Sequence, residues 1–220
     1  MKHDAPKRVV LLANGELHEA DYVRALLRPD DLLIAANGGT RHAWTLQVLP
    51  ALLVGDRDSL PESLHRWLDD NKVPQYTHPR EKDETDLELA LHHALELGAS
   101  SLLFVGATGG RMDHTLANLS LLAHVCAAGV QAEVVVGKEH LHLVYQLFQL
   151  HDAVGHTVSL LPWGGDAKGV TTQGFVWELH GETLGFGPAR GISNVVREPL
   201  ATVSVEEGML LLCHQRGEVR

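Results

Sequence analysis

Up to about residue 137 the chain alternates short aliphatic or β-branched runs with stretches whose apolar residues recur at helical spacing. The runs fall at 9–14, 32–37, 51–55, 73–77, 101–107 and 132–136. Between them, segments 18–27, 40–49, 61–71, 84–97 and 114–128 carry helical patterns, as with Leu87, Leu91 and Leu95 at spacing four. Strands and helices in strict alternation, joined by short connections, predict a parallel sheet covered on both faces. Beyond about residue 138 the period drops to two. Segments 141–145, 156–161, 170–172, 175–179 and 202–205 read as strands, and Glu206-Glu207-Gly208 before 209–213 reads as a hairpin turn. The expected architecture is a Rossmann-like α/β domain over 1–137 followed by an antiparallel β-sandwich domain over 138–220.

Composition narrows the function without naming it. With 220 residues and 45% hydrophobic content the chain has enough apolar surface for one large core or two small ones. Its formal net charge of -10 disfavours a broad surface for nucleic acid or anionic lipid. The apolar run that follows the basic residues Lys7 and Arg8 is too short for a signal-peptide core or a membrane span, so no membrane partner and a cytoplasmic location are expected. Cys126 and Cys213 lack metal-ligand spacing and read as buried, reduced thiols.

Three acidic patterns stand where a predicted strand gives way to a predicted helix: Gly55-Asp56-Arg57-Asp58-Ser59, Lys82-Asp83-Glu84-Thr85-Asp86 and Gly109-Gly110-Arg111-Met112-Asp113-His114. In open α/β sheets ligands bind at that edge. Carboxylates gathered there repel unless a cation joins them, and hard oxygen ligands suit magnesium held with substrate phosphates. In the first pattern Ser59 and Glu62, with Pro61 between, look like a helix capping box, which leaves Asp56 and Asp58 for metal or phosphate, or for turn chemistry. In the second, Asp83 and Asp86 suit N-cap and third-residue positions of the 84–97 helix, with Lys82 beside them as a phosphate contact. In the third, Thr108-Gly109-Gly110 lets backbone N–H groups approach a phosphate and Arg111 adds a fork of donors, while Asp113 either caps the next helix or takes part in chemistry. His114 reads equally as structural or catalytic.

These patterns in this order, followed by Gly174-Phe175-Val176-Trp177 and Gly191-Ile192-Ser193-Asn194, resemble the thiamine pyrophosphokinase (thiamin diphosphokinase) family over nearly the whole chain. The resemblance implies pyrophosphoryl transfer from ATP to the thiamine hydroxyl with Mg2+, giving thiamine diphosphate and AMP, in a homodimer whose site lies between subunits. It implies metal roles for Asp56, Asp58 and Asp86, catalytic roles for Asp58, Asp86 and Asp113, and nucleotide contacts from Asn37, Lys82, Thr108, Gly109, Gly110 and Arg111. Trp177, Ser193 and Asn194 fall on its vitamin side, Trp177 either stacking on the cationic ring or packing into a core or a dimer interface. Two positions depart from the family's pattern: Arg57 stands where an aromatic or apolar residue is common, and Asn37 where an Asp often precedes Gly38-Gly39. A pterin-alcohol pyrophosphokinase and a non-catalytic thiamine- or nucleotide-binding module are the rival readings.

Overall fold

The computed structural model describes residues 7–77 and 84–218. The chain divides into two compact units, Met1–Gly137 and Lys138–Arg220.

The first unit is built on six strands, β1 (Lys7–Leu12), β2 (Leu32–Ala36), β3 (Leu52–Val54), β4 (Gln75–Tyr76), β5 (Ala99–Val105) and β6 (Gln131–Val136). They lie in the order β6-β5-β1-β2-β3-β4, and every pair is parallel. Five helices connect them: α1 (Ala20–Leu26), α2 (Thr40–Leu46), α3 (Glu62–Asp70), α4 (Asp86–Glu96) and α5 (Met112–Ala127). Val10, Leu12, Ala35, Leu53, Leu103, Val105 and Val135 point to one face and form a core with Val23 of α1, Ala43 and Leu46 of α2 and Leu64 and Leu68 of α3. The opposite face meets α4 and α5, with α4 packing on β1, β2, β3 and β5. Burial on both faces explains why Val9, Val10, Leu11 and Leu12 are consecutive aliphatics with no polar alternation. From β1 the chain builds outward through β2, β3 and β4, then returns to lay β5 on the other side of β1. That reversal is a topological switch point, and the crevice beyond the strand ends there is where such sheets bind ligands.

The second unit pairs its eight strands into two antiparallel sheets. One contains β7 (Glu139–Val144), β9 (His156–Pro162), β12 (Asn194–Val195) and β14 (Leu210–Glu218), in the order β12-β9-β14-β7. The other contains β8 (Leu147–His151), β10 (Ala167–Gln173), β11 (His180–Leu184) and β13 (Leu200–Ser204), in the order β11-β10-β13-β8. Val144, Val158, Leu160, Leu210 and Leu212 from the first sheet meet Leu150, Val170, Leu184, Ala201 and Val203 from the second in one sandwich core.

Two expectations fail in this unit. Segment 175–179 is not a strand. Gly174 turns at φ 78°, Glu178 Oε1 accepts from its N–H at 2.9 Å, and Phe175 makes only an isolated bridge with Val196. Glu206-Glu207-Gly208 is not a hairpin turn either, because β13 pairs with β8 and β10 whereas β14 pairs with β7 and β9. The turn carries the chain from one sheet to the other, tied by the bridge between Lys168 and Glu207. Strands β8, β11 and β12 were not anticipated.

Candidate functional site

The loops after β1 and β5 are zipped together at the switch point. Ala13 N–H donates to the Val105 carbonyl at 2.8 Å, Gly15 to Gly106 at 2.7 Å and Glu16 to Thr108 at 2.7 Å. The approach is close enough that a Cβ on Gly15 would collide with the carbonyl oxygens of Thr108 and Gly106. His42 of α2 supports the junction by hydrogen bonding through Nε2 to the Gly15 carbonyl at 2.9 Å. A carbonyl can only accept, so the tautomer carries its proton on Nε2. Burial lowers the His42 pKa, which keeps that ring neutral. Beside the junction opens a cleft of about 390 Å³, walled by Asn14, Asn37, Asp86, Arg111, His114 and Asn118 among others.

Two of the three acidic patterns meet at Asn37. This residue follows β2 in a left-handed conformation, φ 40°. Its Nδ2 donates to Asp56 Oδ1 at 3.1 Å, from the loop after β3, and to Asp86 Oδ2 at 3.3 Å, at the first residue of α4. The Ser59 hydroxyl donates to Asn37 Oδ1 at 3.2 Å. Ser59 therefore works at the carboxylate cluster and not as a helix cap; α3 begins after Pro61 with no side-chain cap. Thr85, not Asp83, is the N-cap of α4, accepting from Glu88 N–H at 3.2 Å. Asp86 itself lines the crevice.

The expected metal trio is not assembled. Among the described residues no three acidic, histidine or cysteine side chains are placed to hold an ion. Asp56 and Asp86 converge, whereas Asp58 is exposed and its backbone N–H donates to Asp56 Oδ1 at 3.1 Å. Two carboxylate oxygens aimed at one point still fit magnesium, which keeps several waters and takes one or two protein carboxylates plus phosphate oxygens. Arg57 turns its side chain, mostly buried, to α3. It sits at φ 66° and its guanidinium pairs with Asp69 of α3 at 2.7 Å, which anchors the loop carrying both aspartates.

In the third pattern Gly109 and Gly110 both adopt positive φ, 88° and 66°, leading into the 16-residue helix α5. Arg111 stands at the N-cap position without a side-chain capping bond, so the helix start presents backbone donors at the cleft edge. Arg111 and Asp113 pair with each other through Nη2 at 2.5 Å and Nε at 3.1 Å. The pairing raises the guanidinium pKa and holds the Asp113 carboxyl below the usual carboxylate range. Asp113 is exposed, and its Oδ1 also accepts from His114 N–H at 2.9 Å. Thr108 is bound through its carbonyl to Glu16, and Lys82 lies outside the described residues.

In the second unit Trp177 is 63% exposed, which rules out a core role in this chain. Asn194, only 9% exposed, grips its backbone: Trp177 N–H donates to Asn194 Oδ1 at 3.1 Å, and Asn194 Nδ2 donates to the Trp177 carbonyl at 2.6 Å. Ser193 is exposed at φ 59°, with its N–H on Ser159 Oγ at 3.0 Å.

Sequence reasoning missed Asn14, Glu16, His42 and Asn118. Asn118 Nδ2 ties α5 to the Ala107 carbonyl at 2.7 Å, and Glu16 Oε1 accepts from Gly110 N–H at 3.4 Å. The one available signal was Asn14-Gly15 directly after an aliphatic run, a turn pair at a strand end.

Comparison with known proteins places this geometry. The thiamin pyrophosphokinase catalytic domain matches residues 23–135, and the thiamin pyrophosphokinase vitamin B1 binding domain matches residues 145–210. A thiamine pyrophosphokinase of Bacillus subtilis (strain 168) is 28% identical over 210 residues, 94% of this chain and 97% of the relative. Thiamine pyrophosphokinase 2 of Arabidopsis thaliana is 29% identical over 178 residues, 73% of this chain and 64% of the relative. The crystal structure of thiamine pyrophosphokinase from Bacillus subtilis superposes with a TM-score of 0.87 at 26% identity, covering 96% of this chain and 99% of that one. Thiamin pyrophosphokinase from Candida albicans shares the fold, with a TM-score of 0.78 at 12% identity over 96% and 90% of the two chains. With both domain families matched in order on the two units found here, the chain belongs to the thiamin pyrophosphokinase family.

Proposed function

We propose that the chain transfers the pyrophosphoryl group of ATP to the hydroxyl of thiamine, releasing AMP, with magnesium bound at Asp56 and Asp86. The observation that carries this reading is the convergence of those two carboxylates on Asn37 at the switch-point cleft, with Arg111 and the start of α5 lining the same cleft. When bound, magnesium would be held by Asp56 and Asp86 and would neutralise phosphate charge.

The chain's own groups supply positioning. Backbone donors at Gly109 and the first turn of α5 receive phosphate oxygens, joined by Gly110 once its N–H leaves Glu16, and Arg111 turns from Asp113 toward the triphosphate. Its release leaves the Asp113 carboxylate free to accept the thiamine hydroxyl proton; Asp86 is the other candidate base. Asp58 completes the anionic rim beside Asp56, and Lys82 offsets charge on the leaving side. In-line transfer between two bound substrates draws most of its rate from such orientation and charge stabilisation.

Vitamin recognition falls to the second unit. Trp177 is exposed and rigidly presented by Asn194, with Val176 and Ile192 also exposed in the same two segments. An aromatic face held in this way suits a cationic thiazolium, and Ser193 adds a hydroxyl. Exposed Leu147, Phe186 and Leu200 support a homodimer in which the second unit contributes apolar contact area. Among the described residues no helix is long and apolar enough to cross a membrane. Burial raises the pKa of both cysteine thiols, Cys213 to about 12, so they remain protonated, as suits the reducing cytoplasm.

The test is AMP release from ATP and magnesium with thiamine or a hydroxymethylpterin supplied in turn. Thiamine-dependent AMP is the expected result. Release only with the pterin overturns the substrate, and tight thiamine binding without AMP overturns the catalysis.

A further inference from the structure

Three side chains, from the loop after β3 and the start of α4, meet at one side-chain amide. Asn37 Nδ2 donates to Asp56 Oδ1 and to Asp86 Oδ2, while Asn37 Oδ1 accepts from Ser59. A carboxylate oxygen can only accept, so the amide nitrogen must face both aspartates, and the serine hydroxyl on the other side reinforces that orientation. Two carboxylates held at one locus repel each other. Here both facing oxygens accept from the same amide nitrogen.

We propose that Asn37 is a positioning residue that performs part of a cation's work in advance, holding Asp56 and Asp86 converged before a divalent ion arrives. Because the amide is neutral, it also limits the converged charge at this point to two carboxylates, which keeps affinity for the free ion moderate and leaves room for phosphate oxygens. The proposal rests on the metal reading of these carboxylates given above.

The backbone makes the test selective. At φ 40° glycine, asparagine and aspartate are tolerated where most residues are strained. Of these three only asparagine carries a donor. Asn37→Gly removes the donor, Asn37→Asp replaces it with a third carboxylate of nearly the same shape, and both keep the turn. If the residue only filled space, Asn37→Asp would behave as wild type and Asn37→Gly would lose stability.

The full chain is melted in EDTA and then with magnesium chloride, without nucleotide, and magnesium affinity is measured by calorimetry. Asn37→Asp should melt lowest in EDTA and recover most with magnesium. It should bind the ion about 10- to 30-fold more tightly than wild type, since a unit charge about 4 Å from a divalent ion acts even through water-like screening. Asn37→Gly should bind several-fold more weakly than wild type. Wild-type melting in EDTA together with wild-type magnesium affinity in Asn37→Asp overturns the proposal. If no form binds magnesium, the metal reading fails and melting in EDTA alone decides the clamp: Asn37→Asp below Asn37→Gly supports it, and the reverse order or equality overturns it.

Discussion

Asp86→Asn changes charge while almost preserving shape, so it separates what the carboxylate does from what the volume does. The variant should fold with an unchanged melting temperature and lose about 10²–10³ in kcat, the usual effect of removing one transition-state electrostatic contact. Near-normal AMP formation by the folded variant removes Asp86 from the catalytic set. Trp177→Leu tests the other substrate. Its ring is exposed, so little stability should be lost, while the KM for thiamine should rise about 2- to 30-fold with that for ATP nearly unchanged, the range of a cation–π contact. Equal rises in both KM values would detach Trp177 from vitamin recognition. At this scale the sequence revealed which groups carry charge at strand ends but not whom they face. The resemblance puts Asn194 on the vitamin side, and the fold adds that its amide is engaged with the Trp177 backbone across seventeen residues. Arg57 likewise could not be placed from sequence, because its partner Asp69 lies a whole helix away.

At the scale of elements, legibility followed burial. The central parallel strands β1 and β2 are continuous aliphatic runs because both faces are covered, and the flanking helices have room for several turns, so the alternation of the first 137 residues was readable to within a few positions. The sandwich strands are half exposed, burying alternate residues as β9 does. There Phe175, Val176 and Trp177 have strand-like composition, yet Gly174 and the Glu178 bond to it bend the chain away, a turn that composition alone does not encode. The same local economy governs the switch-point junction. Gly15→Ala should destabilise the protein by about 1–3 kcal/mol or more, because the added methyl meets backbone carbonyls of Gly106 and Thr108 that cannot rotate aside. Activity should fall further than the fraction unfolded explains, since the displaced β5 loop carries Gly109, Gly110 and Arg111. Wild-type melting and kcat in this variant would show that the β1 and β5 loops are not rigidly coupled.

For the whole molecule, the proposed homodimer should appear by light scattering at micromolar concentration as twice the 24.0 kDa chain. A monomer that still turns over thiamine would end the idea of a site shared between subunits. Acid sensitivity offers a separate test of the sandwich unit. His214 is 4% exposed on the core-facing side of β14, with Nε2 on His156 Nδ1 at 2.8 Å and Nδ1 buried without a hydrogen-bond partner. Burial, reinforced by His156, Arg216, His140 and His142, lowers its pKa from 6.5 to about 4. Above pH 6.5 the ring is neutral in both folded and unfolded chains, so stability does not depend on it. Between pH 6.5 and about 4 the unfolded chain takes up a proton that the folded chain refuses, so stability falls as pH falls, by at most about 1.4 kcal/mol per pH unit. Across that window the loss amounts to roughly 3 kcal/mol, with His156, also lowered by burial, adding in the same direction. Melting temperature recorded from pH 7 to pH 4.5 should therefore decline, and His214→Gln, which can still hydrogen bond to His156 but cannot titrate, should flatten much of the decline. An identical pH profile in wild type and His214→Gln would mean that the acid lability arises elsewhere and that this buried ring is already accommodated as a cation.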